Sequence, residues 1–430
     1  MVDTADQPDW FADGFKHVWL PYTQMQTTPP PVAVAATEGV YITLADGRRL
    51  IDGVSSWWTA CHGYNHPHIK QAVTQQLDTM PHVMFGGLAH EPALSLAQRL
   101  SGLLPGSLNR VFFSESGSVS IEIAMKMALQ YWINGGETRR RQFIGFEYAY
   151  HGDTIGAMSV CDPEEGMHTL FSGLLPEQHI VRLPRTDEEH ESFEKFLDEN
   201  AAVCAAVIIE PLVQGAGGMK MHTPDSLSRI YKAAKRRGLL VIVDEIMTGF
   251  GRTGTLFASE QADIVPDIVT LSKALTGGTM ALAATIATDQ IFDAFLSENP
   301  EAALMHGPTY MSNPLACAAA HASLDLFEQE PRIEQVATIE AHLREMLEPC
   351  RAIDGVLDVR IKGAIGVVQL QDFSDHDAFK ARFIEKGVWI RPFGDIVYVA
   401  PPFIINESEL ACLSEAILDV VGDWSVRRSE

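Results

Sequence analysis

Val241-Ile242-Val243-Asp244-Glu245, then Gly249-Phe250-Gly251-Arg252-Thr253-Gly254, then Ile268-Val269-Thr270-Leu271-Ser272-Lys273-Ala274-Leu275, is the stretch that decides the fold. The first apolar, β-branched run ends in a carboxylate. The second ends in a lysine. Runs of this composition read as buried strands. Side by side in one sheet, they would bring an acid and an amine together at its carboxyl edge, where open α/β sheets bind ligands. A lone lysine is ordinarily a solvated surface charge, and an Asp at a strand end ordinarily caps a turn. The rest of the chain has to decide between these readings.

The composition narrows the field. The chain has 430 residues, 46% of them hydrophobic, enough for a large core or two domains. A formal charge of −24 argues against nucleic acid and against an anionic membrane surface as partners, since both need clustered Lys and Arg. No apolar run reaches the length of a membrane span. The start, Met1-Val2-Asp3-Thr4-Ala5-Asp6, has neither the basic opening nor the apolar segment of a signal peptide, and a cytoplasmic location is expected. Cysteines stand at 61, 161, 204, 317, 350 and 412 with no Cys-x-x-Cys pair, so no metal site and no disulfide framework is expected.

Strand and helix patterns alternate from about residue 90 to 320. Strands are predicted at 110–113, 142–146 and 205–210. Helices are predicted over 119–132, with apolar residues at 121, 124, 125, 128, 129 and 132, and over 227–237, stopped by Gly238. Near-continuous apolar strands in such alternation imply an α/β fold whose mainly parallel sheet is covered on both faces. Before it, 39–44 and 49–53 flank Ala45-Asp46-Gly47 and read as a hairpin. After it come a long charged helix near 332–350, strands at 357–360 and 365–368, a helix near 376–386, and strands at 388–391 and 396–399. The predicted organisation is an N-terminal segment (1–60), a large domain (61–320) and a C-terminal part (321–430), with both ends contributing to a smaller α+β domain.

Several motifs fit one chemistry. An amine at a sheet edge can join an aldehyde cofactor as a Schiff base, and a neighbouring acid can hold a pyridinium nitrogen protonated, which points to pyridoxal phosphate. Ser114-Glu115-Ser116-Gly117-Ser118 lies between a strand and a helix. Alone it reads as a simple N-cap; beside an aldehyde-binding lysine it reads as a phosphate cradle. Tyr150-His151-Gly152-Asp153 puts an aromatic ring where it could stack on a flat cofactor, with Tyr148 a competitor and His151 read as a turn residue. His306-Gly307-Pro308-Thr309-Tyr310 could offer donors to an anion. Arg391, before Pro392-Phe393-Gly394, suits a carboxylate, and alone reads equally well as a surface ion pair. Trp57 and Trp58, with Trp19 and Tyr22, could be core or one wall of an apolar channel.

These blocks together resemble the class III aminotransferases of the fold type I pyridoxal phosphate group over nearly the whole chain. The specific stretches are Trp19–Thr23, Asp52–Trp58, His62–Pro67, His82–Gly87, Tyr150–Thr154, Ile209-Glu210-Pro211, Gln214–Gly218, Met305–Thr309 and Gly387–Gly394, with Leu20 standing where relatives often carry histidine. The resemblance implies that Lys273 carries pyridoxal 5'-phosphate and shuttles the proton, that Asp244 pairs with the ring nitrogen, and that Tyr150 stacks. It implies that Gly117 and Ser118 bind the phosphate, and that Pro308 and Thr309 reach it from a neighbouring subunit of a homodimer. Tyr22, Trp57, Gly307, Arg391 and Tyr398 would line the substrate site, and Arg252 and Asp153 match further positions there. The double tryptophan and the Gly387–Gly394 block are the narrower markers. They resemble members that aminate 8-amino-7-oxononanoate with S-adenosylmethionine, or in some cases lysine, as amine donor. The rival expectations are an ω-amino acid aminotransferase using 2-oxoglutarate and a non-catalytic pyridoxal phosphate binder.

Overall fold

The computed structural model describes residues 8–164, 169–171 and 173–429, so the opening segment Met1–Asp6 lies outside the described residues. The chain divides into two compact units, one made of Met1–Pro67 with Glu334–Glu430, the other of His68–Ile333.

The second unit is organised by a seven-stranded sheet. Its strands are β1 (Leu108–Ser114), β2 (Gln142–Phe146), β3 (His179–Val181), β4 (Cys204–Ile209), β5 (Leu240–Asp244), β6 (Ile268–Leu271) and β7 (Ala283–Thr288). They lie in the order β1-β7-β6-β5-β4-β2-β3. β5 runs parallel to β6, with Ile242 opposite Ile268 and Asp244 opposite Thr270, and parallel to β4 on its other side. β2 is parallel to both β4 and β3. The fold is thus α/β with a mainly parallel sheet. The exception is β7, antiparallel to β6 and to β1. Two reversals restore direction, so β1 points the same way as β6, and its carboxyl end joins the others at one edge.

Every residue of β4 and β5 is buried, which is why both read as unbroken apolar runs rather than as alternating ones. Helix α1 (Gly117–Asn134) covers the sheet with Ile121, Ala124, Met125 and Ala128, packed in one cluster with Phe143, Ile208, Ile242 and Ile268. Helix α2 (Pro224–Arg236) begins at Thr223, whose side chain accepts from the Ser226 N–H at 3.1 Å. It carries Pro224 in its first turn and Lys235 and Arg236 in its last, and Gly238 (φ +68°) ends it.

In the first unit, the strands Tyr41–Leu44 and Arg49–Asp52 form the hairpin, closed by Gly47 at φ +88° and by the Asp46 carboxylate accepting from the Arg48 N–H at 3.0 Å. The C-terminal strand Val388–Trp389 joins this sheet in parallel, with Val388 opposite Ile51. Ile42, Leu44 and Leu50 pack with Ile384 of the helix His376–Glu385 in one core. A second sheet pairs Val356–Lys362, Ile365–Leu370 and Ile396–Val399, all antiparallel.

Ile242 is fully buried at the centre of the large sheet. Ile242→Ala leaves a cavity there and is expected to cost about 2–5 kcal/mol, read as a lower urea midpoint of the second unit.

Candidate active site

The carboxyl ends of β1, β2, β4, β5 and β6 lie at one edge of the sheet, and each is followed by a polar or charged residue singled out above or found by the structure. β5 delivers Asp244, only 4% exposed. Its Oδ1 accepts from the Ile246 N–H at 3.0 Å and from the Thr270 hydroxyl at 3.3 Å. Its Oδ2 accepts from His151 Nδ1 at 2.7 Å. The next residue, Glu245, is also buried, but it accepts from Thr248, Ala258 and Ser259 and so pins the following loop.

His151 comes from the segment after β2, and its side chain has no exposed surface. Burial alone would strip its proton. The hydrogen bond to Asp244 and that carboxylate's charge outweigh burial, with a contribution from Glu210, so the imidazole holds its proton above the ordinary histidine range. Glu210, directly after β4, accepts from the Gly215 N–H at 2.8 Å and from the Tyr150 N–H at 3.0 Å. Burial pushes its carboxyl up to about 7, helped by Asp244 and opposed by His151 and the two N–H donors.

Lys273 follows β6 across Ser272 and starts a single helical turn, Lys273–Thr276. Its backbone sits at φ +38°, a region that non-glycine residues occupy at a cost and mostly at functional sites. The surrounding protein strips water from its ammonium and pulls it down to about 8, against the charges of Asp244 and Glu210. At pH 7 about a tenth of the side chain is therefore neutral amine, far more than for a solvated lysine.

The turn after β1 leads into an open helix start whose donors suit an anion. Ser116 caps α1, its hydroxyl accepting from the Val119 N–H at 3.3 Å, and the N–H groups of Gly117 and Ser118 stand at the open helix start. A Cβ on Gly117 would come within 3.1 Å of the Ile246 side chain. The Ser118 hydroxyl accepts from the Asp153 N–H at 3.1 Å, which leaves its own proton for an anion. Gly152 permits that approach: it lies at φ +134°, and a Cβ there would sit 2.2 Å from Ser118 Oγ.

Tyr150 is partly buried, with its backbone N–H on Glu210. Its competitor Tyr148 already carries Lys220 Nζ over its ring at 5.2 Å. Arg252 is 1% exposed, whereas Asp153 is exposed. Gly307 and Thr309 are exposed and Pro308 partly so, on an irregular loop whose Met305 carbonyl accepts from Lys126 Nζ at 2.6 Å.

The remaining residues belong to the first unit. Trp57 (40% exposed) has Arg391 over its ring at 5.3 Å and Tyr22 edge-on at 6.4 Å. Among the described residues no carboxylate pairs with Arg391. Tyr398 is 2% exposed, its ring against Trp58 and Phe393, so it supports this aromatic group from behind.

The structure adds two residues that sequence reasoning passed over. His151 was weighed as a turn histidine, and Glu210 only as part of a motif. A signal for Glu210 was present, because it ends an apolar strand just as Asp244 does.

A pyridine aldehyde phosphate fits this set. Gly117 and Ser118 would supply the cradle, Lys273 the amine, and Asp244, fixed by His151, the acid. Comparison with known proteins agrees. The family described as aminotransferase class-III matches residues 22–421. The adenosylmethionine-8-amino-7-oxononanoate aminotransferase of Corynebacterium glutamicum is 45% identical over 413 residues, covering 94% of this chain and 96% of that protein. The crystal structure of the enzyme of the same name from Methanocaldococcus jannaschii superposes with a TM-score of 0.91 at 32% identity, covering 96% of this chain and 98% of that one. A PLP-bound amine transaminase from an uncultivated Pseudomonas species gives 0.86 at 32% identity, with 95% and 98% covered.

The depressed Lys273 sets a pH dependence. Since the neutral amine captures an aldehyde, cofactor uptake by the apoprotein, followed as visible absorbance, is expected to quicken up to about tenfold per pH unit below the lysine's midpoint and to level off above it, near 8. Glu210→Gln removes a charge that favours the ammonium and is expected to move this midpoint lower. A rate that is flat across the range contradicts the assignment.

Proposed function

The chain belongs to the class III aminotransferases, pyridoxal phosphate enzymes, and from that premise we propose that it converts 8-amino-7-oxononanoate to 7,8-diaminononanoate in biotin biosynthesis. The proposed amine donor is S-adenosylmethionine, with lysine as the alternative. When bound, pyridoxal phosphate supplies an aldehyde that accepts an amine and a ring that withdraws electrons from the bond being broken. The protein does the rest. Gly117 and Ser118 hold the phosphate. Asp244, oriented by His151, accepts the ring N–H. Tyr150 offers a face to the ring, and Glu210 fixes the Tyr150 backbone. Lys273 Nζ takes the proton that leaves the donor Cα and delivers it back within the site. Two half-reactions share these groups: the donor enters and leaves without its amino group, then the keto acid enters and leaves with it.

The observation that carries the substrate reading is Arg391, a guanidinium stacked near Trp57 with no carboxylate of its own among the described residues. It would pair with the far carboxylate of the keto acid, while Trp57 and Tyr22 offer apolar faces to its chain. Arg252, Asp153 and Gly307 complete the proposed substrate set, with Tyr398 supporting the aromatic wall. The likeness to amine transaminases keeps one second reading alive, an ω-amino acid aminotransferase using 2-oxoglutarate.

The proposed assembly is a homodimer in which Pro308 and Thr309 serve the phosphate site of a second copy. What supports it is the exposed apolar surface of Met84 (59%), Leu88 (50%), Met305 (76%) and Tyr310 (60%), near the motif loops. The proposed location is the cytoplasm, in keeping with six cysteines that all remain thiols.

Lys273→Ala is expected to abolish turnover. Arg391→Ala is expected to raise KM for the keto acid about tenfold or more while leaving cofactor absorbance intact. Adding S-adenosylmethionine or lysine to the holoenzyme should bleach the visible band with one donor. Faster turnover with 2-oxoglutarate than with 8-amino-7-oxononanoate as acceptor favours the second reading.

A further inference from the structure

Ser55, Ser56, Trp57 and Trp58 have φ values of +48°, +46°, +58° and +69°. Four consecutive non-glycine residues therefore wind as one left-handed turn. L-residues resist this winding because the Cβ crowds the following carbonyl. None of the four is a glycine or asparagine, the residues that tolerate it best, so something outside the turn must impose it.

Asp52 imposes it. The carboxylate is fully buried at the end of the strand Arg49–Asp52. Oδ1 accepts from the Val54 N–H at 2.9 Å, and Oδ2 from the Ser56 N–H at 2.8 Å. Oδ2 also accepts from the Tyr64 hydroxyl at 2.5 Å, and that hydroxyl lies 2.5 Å from Ser56 Oγ. Burial, together with the Asp52 charge, keeps the Tyr64 phenol protonated well above the ordinary tyrosine range, as a donor to Asp52 must be. The Ser55 hydroxyl donates to the Ala400 carbonyl at 2.7 Å and ties the turn to the strand region beyond Val399. With the turn wound this way, Trp58 is 8% exposed against Tyr398, while Trp57 is 40% exposed beside Arg391 and Tyr22.

We propose that Asp52 and Tyr64 are positioning residues for substrate selection: they hold the left-handed turn that presents the Trp57 indole beside Arg391, and so set the affinity for a long, carboxylate-tipped keto acid. This rests on the substrate reading given above. Neither residue touches the reacting atoms. Their effect reaches the substrate through Trp57, and so it falls on KM rather than on the chemical step.

The test uses the holoenzyme with 8-amino-7-oxononanoate varied. Asp52→Asn puts an amide donor against N–H and O–H donors, and Tyr64→Phe removes one hydroxyl. Each is expected to raise KM for the keto acid about tenfold, with kcat within about threefold and unchanged visible absorbance of the cofactor. Near-UV circular dichroism of the tryptophans should change in both. Ser56→Gly added to Asp52→Asn should recover part of the KM, because glycine adopts the left-handed region without a Cβ penalty. Should Asp52→Asn not fold, Tyr64→Phe alone decides. A lowered melting temperature with KM unchanged in Tyr64→Phe, or a failure of Ser56→Gly to recover KM where Asp52→Asn folds, overturns the proposal. If Arg391→Ala and Trp57→Ala also leave KM unchanged, the substrate reading itself has failed. If they raise it and the Asp52 and Tyr64 variants do not, only the positioning role has failed.

Discussion

The His151–Asp244 hydrogen bond is the contact on which the sheet edge depends. Asp244 and Glu210 are each only 4% exposed. Carboxylates taken out of water cost several kcal/mol apiece unless charges or donors replace the lost hydration. His151, wholly enclosed, is held toward its protonated form by the Asp244 hydrogen bond and by the charges of Asp244 and Glu210. It also fixes the orientation of the Asp244 carboxylate, whose other oxygen is held by Thr270 and the Ile246 N–H. Lys273 completes the balance. A fall of its ammonium from 10.5 to about 8 is worth roughly 3 kcal/mol in favour of the neutral amine, even with two carboxylates pulling the other way. Burial wins there, and the amine loses its proton far more readily than a solvated lysine does. His151 thus offsets part of the cost of two buried acids, while burial of the lysine weakens the hold on its proton.

Backbone strain follows the same map. Lys273 at φ +38° and Tyr148 at φ +64° lie in the second unit, and Ser55–Trp58 in the first. Each such residue costs of order 1 kcal/mol or more and persists only where neighbours over-determine it. The neighbours are identifiable: Asp162 accepts from the Tyr148 N–H at 2.6 Å, and Asp52 gathers the N–H groups around Ser56. In both cases a carboxylate accepting backbone N–H groups fixes an aromatic segment. Rigid placement of aromatic faces lowers the entropy lost when a flat cofactor or an alkyl chain binds.

Much of this was legible in the amino-acid sequence because buried parallel strands leave a plain signature. β4, β5 and β6 read as apolar runs, with Glu210 following β4, Asp244 ending β5 and Lys273 following β6 across Ser272. β2 and the strand Ile396–Val399 fall where the pattern put them. β7 did not show itself. Ala283-Ala284-Thr285-Ile286-Ala287-Thr288 is small and weakly apolar, and its antiparallel direction depends on partners far away in the chain. The pairing of Val388 with Ile51 is equally non-local. His151 was undervalued because a histidine after a strand usually serves a turn. Only the fold brings it to Asp244. The left-handed turn was invisible for a deeper reason: Ser-Ser-Trp-Trp has no residue that prefers that winding, and the carboxylate that enforces it acts through hydrogen bonds no periodicity reveals.

In the proposed function the chemistry and the selectivity fall to different parts of the chain, and this explains why one was easier to read than the other. Holding an aldehyde cofactor needs an amine, an acid and an anion cradle, residue types whose placement at strand ends is strongly constrained. Choosing a substrate needs only a complementary surface. In the first unit the proposed surface is marked by charge accounting. The chain has 56 acidic and 32 basic residues, so an arginine has many carboxylates from which to find a partner. Arg237 takes Asp198 at 2.7 Å, Arg382 takes Asp423, and Arg99 takes Asp325 at 2.7 Å. Arg391 instead lies over an indole, with no carboxylate partner among the described residues. That contrast is the observation on which the proposed substrate role of Arg391 rests.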